Sequence, residues 1–416
     1  MPPRLDKTCL MRLEDIDIYN PDTYVDATPH EQFCFLREHD PVHWHVHPDG
    51  GGYWVLSKHA DCVHVARDHA GFSAQRGFVL VDDLEPTILA QAQGQLLGMD
   101  PPAHGPIRRA VISRFTTKML DELEPRIRSI TREIMRDMQQ RPNCDFVFDV
   151  AARLPTQVIA EMMGVPRGDW DQFREWADKQ TSGDDPEVAS PEQQQQASLQ
   201  MGVYGYELAL QKQGKGGDDI SSLLLNVEVE GHKVKPEEFA SLFIQISVAG
   251  NETTRTLLSA GMLELIRRPE VYRELQDHCE FIPGAVEEML RYVCPLHYFR
   301  RTATRDTEIR GKQIKENDRV VLLYASANRD EDVFDQPGEF NIHRDPNPHI
   351  TFGYGIHLCL GANLARLEAR VFFEEFFEHF GGIELAGNIR RLRSNLVNGM
   401  KEMPVLLHPL KSTDAA

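Results

Sequence analysis

The sequence predicts a mainly α-helical protein with small β-sheets. Apolar residues recur at three- and four-residue spacing through most of the chain, for example in ITREIMRDMQQ and QVIAEMMG. Alternating apolar residues beside glycine turns indicate only a few short hairpins. The 416 residues, of which 41% are hydrophobic and 26% charged, are typical of a globular protein. This length allows one large domain or two to three smaller ones, and no repeat or linker clearly divides the chain.

Two β-rich segments are predicted, at residues 41–60 and 305–324. In the first, Val42, Trp44 and Val46 alternate along a strand that an Asp-Gly-Gly-Gly turn connects to a second strand. The other segment begins with TEIRGKQI, which has a glycine at its turn. A third short hairpin is predicted in VEVEGHKVK.

The longest predicted helix begins near Pro236 and ends before Pro269. Proline suits the first turn of a helix, and Glu237 and Glu238 favour the positive end of its dipole. About thirty residues give a helix of roughly 45 Å. Because apolar residues occur on several of its faces, we expect this helix to cross the protein interior.

Two other segments are interpreted as parts of a binding site. Residues 165–215 form the most polar part of the chain, and Ser190 to Gln193 fit a helix-capping box. We expect helices there that act as a lid. Residues 77–98 show no firm period, which is typical of a binding loop.

Charge and composition exclude several classes of protein. The net charge of −19, from 64 acidic and 45 basic residues, leaves no global basic surface for nucleic acid. The N-terminus has no signal-peptide core, and the most apolar run, Phe239 to Gly250, is too short to span a bilayer. Seven scattered cysteines without a CxxC pair suit a reducing compartment. We therefore expect a cytoplasmic protein with no membrane span and no nucleic-acid partner.

The stretch FGYGIHLCLGANLARLE places one cysteine, Cys359, between glycines at the start of a predicted helix. A lone cysteine in an apolar context is usually a small buried hydrophobe. At a helix N-terminus, however, the dipole and the free N–H groups favour a thiolate, and a glycine loop lets further N–H groups approach the sulfur. No second cysteine and no pair of histidines lies at zinc-like spacing. One thiolate bound to a large planar cofactor therefore fits better.

The segment FGYGIHLCLG (residues 352–361, the cysteine loop) resembles the haem-ligand loop of cytochromes P450, Phe-Gly-x-Gly-x-His-x-Cys-x-Gly, at every position. Other segments match the family in the expected order, so the resemblance covers about residues 30 to 408. It implies a single domain, residues 1–416, with the cytochrome P450 fold and haem b between the long helix and the cysteine loop. Cys359 would be the axial ligand of the haem iron, with Phe352 and Gly353 beside the sulfur.

Four basic residues would bind the haem propionates. In the cysteine loop, the resemblance assigns this role to His357. In MDPPAHGPIRRAV it assigns His104 and Arg108, which lie four residues apart and thus on one helix face. In FRRTATRDTEI it assigns Arg301, although the adjacent Arg300 leaves the choice between the two arginines open.

EEMLR resembles the family's buried structural pair of a glutamate and an arginine, here Glu288 and Arg291. Without the resemblance, these residues would form an exposed ion pair worth roughly a few tenths of a kcal/mol. The sequence departs from the family at Glu339, where a third-partner arginine often stands. Whether Arg344 or another group completes the network is open.

The centre of the long helix reads SVAGNETTRT, a polar sequence for a helix in a core. Its glycine costs about 1 kcal/mol relative to alanine. The resemblance explains both features, because it implies that Ala249 and Gly250 lie against the haem. Glu252 and Thr253 would then form an acid–alcohol pair that delivers protons to bound O₂. This pair favours a monooxygenase that inserts one oxygen atom of O₂ into a C–H bond of its substrate.

Mostly apolar residues from four segments are expected to contact a hydrophobic substrate. They are Phe78, Val79, Ile246, Leu296, His297, Tyr298 and Val397. Of these, His297 and Tyr298 could bind a hydroxyl or a carbonyl group. AGNETTR and SNLVNGMKEMPV look most like bacterial members that hydroxylate sterol side chains and branched lipids. Terpenoid or alkyl-aromatic hydroxylases share much of this pattern and are the alternative.

Without a membrane anchor or a fused reductase, the enzyme would receive NAD(P)H-derived electrons from a separate ferredoxin and its reductase. Candidate docking residues are Arg109, Arg114, Lys118, Arg366 and Arg370. We expect a monomer. The competing class is a non-catalytic haem-thiolate sensor or electron carrier, which would explain the cysteine and the propionate donors but not the acid–alcohol pair or the apolar loops.

Overall fold

The computed structural model describes residues 11–229 and 231–410, which are mostly helical, as the sequence predicted. The N-terminal segment without a signal-peptide core, including Cys9, lies largely outside the described residues. The helices are α1 (His30–His39), α2 (His59–Arg67), α3 (Pro86–Gln93), α4 (His104–Ile112), α5 (Thr117–Gln140), α6 (Arg153–Met163), α7 (Trp170–Gln180), α8 (Pro191–Lys212), α9 (Ile220–Leu224), α10 (Pro236–Ile266), α11 (Pro269–Asp277), α12 (Ile282–Val293), α13 (Tyr324–Ala327) and α14 (Ala362–His379).

The strands form one five-stranded sheet, of order β1-β2-β10-β7-β3, and several smaller sheets. They are β1 (Val42–Val46), β2 (Gly52–Leu56), β3 (Phe72–Ser73), β4 (Asn143–Asp145), β5 (Glu228–Val229), β6 (His232–Lys233), β7 (Phe299–Ala303), β8 (Thr307–Ile309), β9 (Lys312–Ile314), β10 (Arg319–Leu322), β11 (Phe380–Leu385), β12 (Arg390–Arg391), β13 (Met400–Glu402) and β14 (Pro404–Pro409). All three hairpins predicted from the sequence are present, as β1–β2, β5–β6 and β8–β9.

The first hairpin buries an unexpected face of β1. Val46 is 69% exposed and Trp44 is 39% exposed, whereas the alternating His43, His45 and His47 are buried. Buried histidines need partners or must stay neutral. His43 Nδ1 lies 3.0 Å from a carboxylate oxygen of Asp40, and burial lowers the pKa of His45 to about 4. The alternation therefore predicted the strand correctly but not the side that packs inward.

Helix α10 crosses the helical core, as its length and apolar faces predicted. It begins at Pro236, where the Glu238 carboxylate accepts a hydrogen bond from the Lys235 backbone N–H at 2.9 Å. It packs against α6, α8, α12 and α14. A second, smaller hydrophobic core lies between the five-stranded sheet and helices α1 and α2.

The predicted lid segment contains α7 and α8. The capping box is present, because Ser190 Oγ accepts from the Gln193 N–H at 3.3 Å and Gln193 Oε1 accepts from the Ser190 N–H at 2.8 Å. Residues 77–98 differ from the expected irregular loop, since they include α3. Pro86 at the first position of α3 is a start signal that the sequence analysis did not use.

The Glu288–Arg291 pair lies fully buried on α12. Arg291 Nε and Nη2 donate to the two carboxylate oxygens of Glu288 at 2.8 and 2.7 Å. Arg344 Nε also donates to Glu288, at 3.3 Å, and Asn347 Nδ2 does so at 3.1 Å. Arg344 and Asn347 thus complete the network that the sequence left open, while Glu339 contributes its backbone carbonyl, which accepts from Arg291 and Arg344.

Helix α14 carries an acid, Glu368, that is only 2% exposed. Its Oε2 atom has no hydrogen-bond partner among the described residues. Burial raises the pKa of Glu368 to about 8, because an unpaired carboxylate is poorly solvated in the core. This glutamate is therefore held as a neutral acid at pH 7.

We expect Glu368→Gln to remove part of the pH dependence of folding stability. Between the ordinary glutamate pKa and about 8, the folded protein keeps this proton and the unfolded chain releases it. The associated stability is full below the ordinary pKa and is lost as the pH rises to about 8, by at most about 1.4 kcal/mol per pH unit. Urea unfolding across this pH range measures the slope.

The matched control is Glu378→Gln, because Glu378 lies exposed on the same helix. We expect the control to keep the wild-type slope and Glu368→Gln to flatten it. Equal slopes in all three proteins would contradict the assignment of a buried neutral acid.

Candidate active site

The cysteine loop is folded tightly beneath the start of α14. The Cys359 N–H donates to the Phe352 carbonyl at 2.8 Å, which closes the loop. Gly355 has a φ of +70°, and a Cβ atom there would lie 2.2 Å from the carbonyl oxygen of Ala66 on α2. Only glycine fits this close approach. The loop is thereby held against α2, and Cys359 lies just before the N-terminus of α14, as predicted.

The Cys359 side chain is accessible although protein atoms surround it, so its thiol borders an internal cleft. Burial raises the pKa of the thiol. The Gly361 N–H, Arg108 and Arg366 act in the opposite direction, because each stabilises the thiolate. Arg366 also covers the ring of Phe352, with 4.6 Å between the guanidinium carbon and the ring centroid.

Two histidines predicted to bind propionates meet at one side of the loop. The rings of His104 and His357 are 4.8 Å apart between centroids. His104 Nε2 and both ring nitrogens of His357 are buried and have no hydrogen-bond partner among the described residues. The nearest carboxylate, Asp100, is 4.0 Å from His357 Nε2, which is beyond hydrogen-bond distance. Burial lowers the pKa of His104 to about 4 and also lowers the pKa of His357.

Two arginines complete this group of donors. Arg108 lies one turn after His104 on α4, and its Nη2 donates to the Leu358 carbonyl at 2.6 Å. Arg301 on β7 is buried, its Nη1 donates to the Arg300 carbonyl at 2.7 Å, and its charge lowers the pKa of His357. Buried donors without acceptors are costly. An acidic group placed among them would satisfy them, and the propionates of a haem fit this requirement.

The adjacent Arg300 has a different partner. Its Nη1 donates to the carbonyls of Val81 and Asp82, both at 2.8 Å, and its Nη2 donates to the Asp83 carboxylate at 2.6 Å. Neighbouring residues of a strand point to opposite faces. Arg300 is thus engaged by the 77–83 loop, so Arg301 stays the predicted propionate donor.

On α10, Ala249 is exposed in the middle of a largely buried helix, and Thr253 one turn later is half-buried. This side of the helix therefore borders an opening in the core, and its role as the haem face stays a prediction. Thr253 Oγ1 donates to the Ala249 carbonyl at 2.9 Å. Gly250 has another environment, because a Cβ atom there would lie 3.0 Å from Ile159 of α6. Contrary to our expectation, close packing against α6 explains this glycine.

Glu252 points away from Thr253, toward α7. It is 3% exposed, and its carboxylate accepts hydrogen bonds from Thr181 Oγ1 at 3.0 Å and from Thr256 Oγ1 at 3.2 Å. Arg255 forms an ion pair with Glu252 and a second one with Asp178, the latter at 2.6 Å. Burial raises the pKa of Glu252 despite the opposing charge of Arg255.

The sequence analysis identified none of the four residues around Glu252, namely Asp178, Thr181, Arg255 and Thr256. Arg255 could have been found from its position three residues after Glu252, where helical side chains meet. Asp178 and Thr181 lie more than seventy residues away in the chain, and no local pattern connects them to Glu252.

The residues expected to contact substrate lie on several elements and differ in burial. Leu296 is half-buried and pairs with Val397 in an isolated bridge, and Val397 itself is 6% exposed. Ile246 is half-buried on α10. In the 77–83 loop, Phe78 is buried against Ala74 and Ala92, while Val79 is half-buried beside them.

His297 and Tyr298 do not fit their expected role. His297 is fully buried, and its ring nitrogens lie 2.9 Å from the Asn395 carbonyl and 3.2 Å from Thr28 Oγ1. Tyr298 is 4% exposed, and its hydroxyl donates to Asn395 Oδ1 at 3.4 Å. Because their polar atoms are already bonded within the protein, we assign both residues to structure instead of substrate binding.

Comparisons with known proteins identify the family to which this chain belongs. The family model described as Cytochrome P450 matches residues 191–385. The Steroid C26-monooxygenase of Rhodococcus jostii (strain RHA1) is 37% identical over 405 residues, which cover 94% of this chain and 84% of that protein. The Methyl-branched lipid omega-hydroxylase of Mycobacterium tuberculosis (strain ATCC 25618 / H37Rv) is 37% identical over 362 residues, 86% of this chain and 84% of that protein.

Among solved structures, Mycobacterium marinum cytochrome P450 CYP268A2 in complex with pseudoionone superposes with a TM-score of 0.89 at 31% identity, and the match covers 95% of this chain and 99% of that one. The chain belongs to the cytochrome P450 family. It is accordingly an oxidoreductase, a haem b monooxygenase that uses O₂ and electrons from redox partners and hydroxylates hydrophobic molecules. In the described residues, no helix is both long and apolar enough to cross a membrane.

We expect His104→Leu and His357→Leu each to weaken haem retention. Each variant removes a buried donor that would bind a propionate, and a hydrogen bond to a charged group contributes about 1.5 to 3 kcal/mol. The rate of haem transfer from the ferric protein to an apo-haem acceptor should therefore rise by about tenfold or more.

His64→Leu is the matched control, because His64 is exposed on α2. It should leave the transfer rate unchanged. If the His104 and His357 variants lose haem no faster than this control, the two histidines do not hold the propionates.

Proposed function

We propose that this chain hydroxylates the side chain of a sterol or steroid, or a branched lipid, and receives its electrons from a ferredoxin and its reductase. The observation that carries this proposal is the 37% identity to a steroid C26-monooxygenase over 94% of the chain. The similarity to a methyl-branched lipid omega-hydroxylase supports the same class of substrate, a long apolar molecule with a branched end. A cytoplasmic location is part of the proposal, and the six cysteines within the described residues are free thiols.

The residues beside the cleft support an apolar substrate. Ile246 and Ala249 present aliphatic surface on α10, and the half-buried Leu296 lies on the segment that pairs with Val397. With His297 and Tyr298 removed from the candidate contacts, the remaining predicted contacts are all apolar. Such a lining favours burial of a hydrocarbon over hydrogen bonding to a polar substrate.

Cys359 would hold the haem iron, while His104, Arg108, Arg301 and His357 would hold the propionates. When bound, the haem supplies the iron that binds O₂ and transfers one oxygen atom to the substrate. The tight cysteine loop places the Gly361 N–H near the sulfur, which stabilises the thiolate as ligand.

Thr253 and Glu252 would move protons. Thr253 is the hydroxyl at the cleft, so its Oγ1 proton can be donated into the cleft once the bond to the Ala249 carbonyl is released. Glu252 would return a proton to this region from the α7 side. Because burial raises its pKa, Glu252 takes up a proton at a higher pH than an exposed glutamate does, as a proton relay requires.

A ferredoxin would dock near the cysteine loop. Tyr354 and Leu358 of this loop are exposed by 37% and 44%. Of the basic residues predicted to attract the carrier, Arg366 is paired with Glu287, and Arg370 with Glu124 and Glu374. Within the described residues, Arg109 and Lys118 are exposed and form no ion pair, so these two are the better candidates.

A terpenoid substrate is the alternative, because the solved structure with a TM-score of 0.89 contains pseudoionone. The deciding experiment is a titration of the ferric protein with sterols, branched fatty acids, terpenoids and alkyl-aromatics, followed at the Soret band. We expect a saturable low-to-high-spin shift with sterols or branched lipids. A shift with small terpenoids or aromatics alone would contradict the proposed substrate and leave the monooxygenase assignment intact.

We expect Thr253→Ala to uncouple electron consumption from hydroxylation. Without the hydroxyl at the cleft, proton delivery fails and reduced oxygen leaves as hydrogen peroxide. The ratio of product formed to NAD(P)H consumed should fall by about an order of magnitude. This ratio and the released peroxide are measured with a surrogate ferredoxin system.

The control is Thr254→Ala, which makes the same chemical change at the neighbouring buried residue. It should remain coupled. Wild-type coupling in Thr253→Ala would remove this residue from proton delivery.

A further inference from the structure

Helix α8 is apolar on two opposite faces. The inward face consists of Ala197, Met201, Gly205, Leu208 and Ala209, all of which are buried. On the outward face, Leu199 is 67% exposed, Val203 50% and Leu210 52%. A helix at a protein surface normally presents polar residues to solvent. This outward face is therefore a surface that packing within the described chain does not explain.

The outward residues form a regular seam. Leu199, Val203, the half-buried Tyr206 and Leu210 are separated by four, three and four residues, and we name them the α8 stripe. This spacing places all four on one line along the helix, as at the contact positions of paired helices.

We infer that the α8 stripe binds the α8 stripe of a second copy of this chain, with the two helices antiparallel about a two-fold axis. A two-fold contact uses the same patch on both subunits, so the patch must be complementary to itself. An antiparallel register centred between Val203 and Tyr206 meets this condition. It places Leu199 opposite Leu210 of the partner subunit and Val203 opposite Tyr206 of the partner subunit.

The charges beside the stripe agree with this register. Glu207 lies opposite Gly202 of the partner subunit, and Gln196 lies opposite Gln213 of the partner subunit. Thus no carboxylate of this segment faces another carboxylate. Lys212 is already paired with Asp219 at 2.8 Å and adds no repulsion. On a chain of net charge −19, a segment flanked by neutral glutamines is well suited to contact a second copy.

The size and charge of the surface define the strength of association. Four residues a side are fewer than the twenty to thirty of a standard interface, so the dimer should be weak and depend on concentration. Because both copies are acidic overall, added salt should strengthen it by screening their repulsion. A weak dimer differs from the monomer that the sequence led us to expect. The inference of a dimer does not depend on the proposed substrate.

Sedimentation of the haem-loaded full chain over a wide concentration range tests the inference. We expect a monomer–dimer equilibrium whose dissociation constant falls as salt is raised. The double variant Leu199→Gln, Leu210→Gln should raise this constant at least about tenfold. The control Val46→Gln changes a residue that is 69% exposed on β1 and should leave the constant unchanged. Haem content and ligand-induced spin shift should be equal in all three proteins.

Disulfide trapping tests the register independently. In a background with Cys9, Cys34, Cys144 and Cys279 replaced by serine, a mixture of Leu199→Cys and Leu210→Cys chains should form a mixed disulfide dimer faster than either variant alone. A wild-type chain that stays monomeric at all concentrations would overturn the inference. The inference would also be overturned if the Leu199→Gln, Leu210→Gln variant associated like the wild type. The same holds if this variant differed from the wild type only in weaker binding to lipid vesicles.

Discussion

The architecture depends on keeping a thiolate inside a protein core. Burial alone raises the pKa of Cys359 and would favour the neutral thiol. The opposing contributions come from separate parts of the chain, namely the Gly361 N–H in the cysteine loop, Arg108 on α4 and Arg366 on α14. The cysteine loop also packs against α2, because Gly355 lies close to the carbonyl oxygen of Ala66. Helices distant in sequence are thus fixed around one sulfur atom.

A second constraint arises because α10 carries a polar sequence through the core. Two of the buried polar side chains on its packed faces are bonded to neighbouring elements, Asn251 to Thr156 at 2.8 Å and Glu252 to Arg255 and its neighbours, whereas Ser247 Oγ has no partner among the described residues. Unpaired polar groups there would each cost about 1 to 3 kcal/mol. Thr253 lies on the side that borders the cleft, where it bonds to the backbone of its own helix. The packed faces therefore determine which side chain remains available for chemistry.

Local patterns in the sequence predicted those parts of the site that local geometry determines. The glycines around Cys359 and the four-residue spacing of His104 and Arg108 are examples, whereas the choice between Arg300 and Arg301 was left open by the sequence. Contacts between distant segments had no such signal. Arg344 reaches Glu288 from 56 residues away, and the burial of His297 depends on Asn395 and Thr28. Tertiary packing likewise decided that the histidines of β1 face inward and that Gly250 meets Ile159.

Polar contacts hold two elements on the substrate side of the molecule, the 77–83 loop and helix α7, in addition to their hydrophobic packing. Arg300 fastens the 77–83 loop through two carbonyls and the Asp83 carboxylate. Helix α7 is joined to α10 through Asp178 and Arg255, and Thr181 just beyond α7 donates to Glu252. A buried ion pair adds little net stability, because the desolvation of both charges offsets their attraction. It does fix geometry, since a displaced partner leaves a buried charge unpaired. A movement of α7 that opened the cleft would therefore also break the hydrogen bond between Thr181 and Glu252. The position of α7 and the environment of this acid are thus coupled.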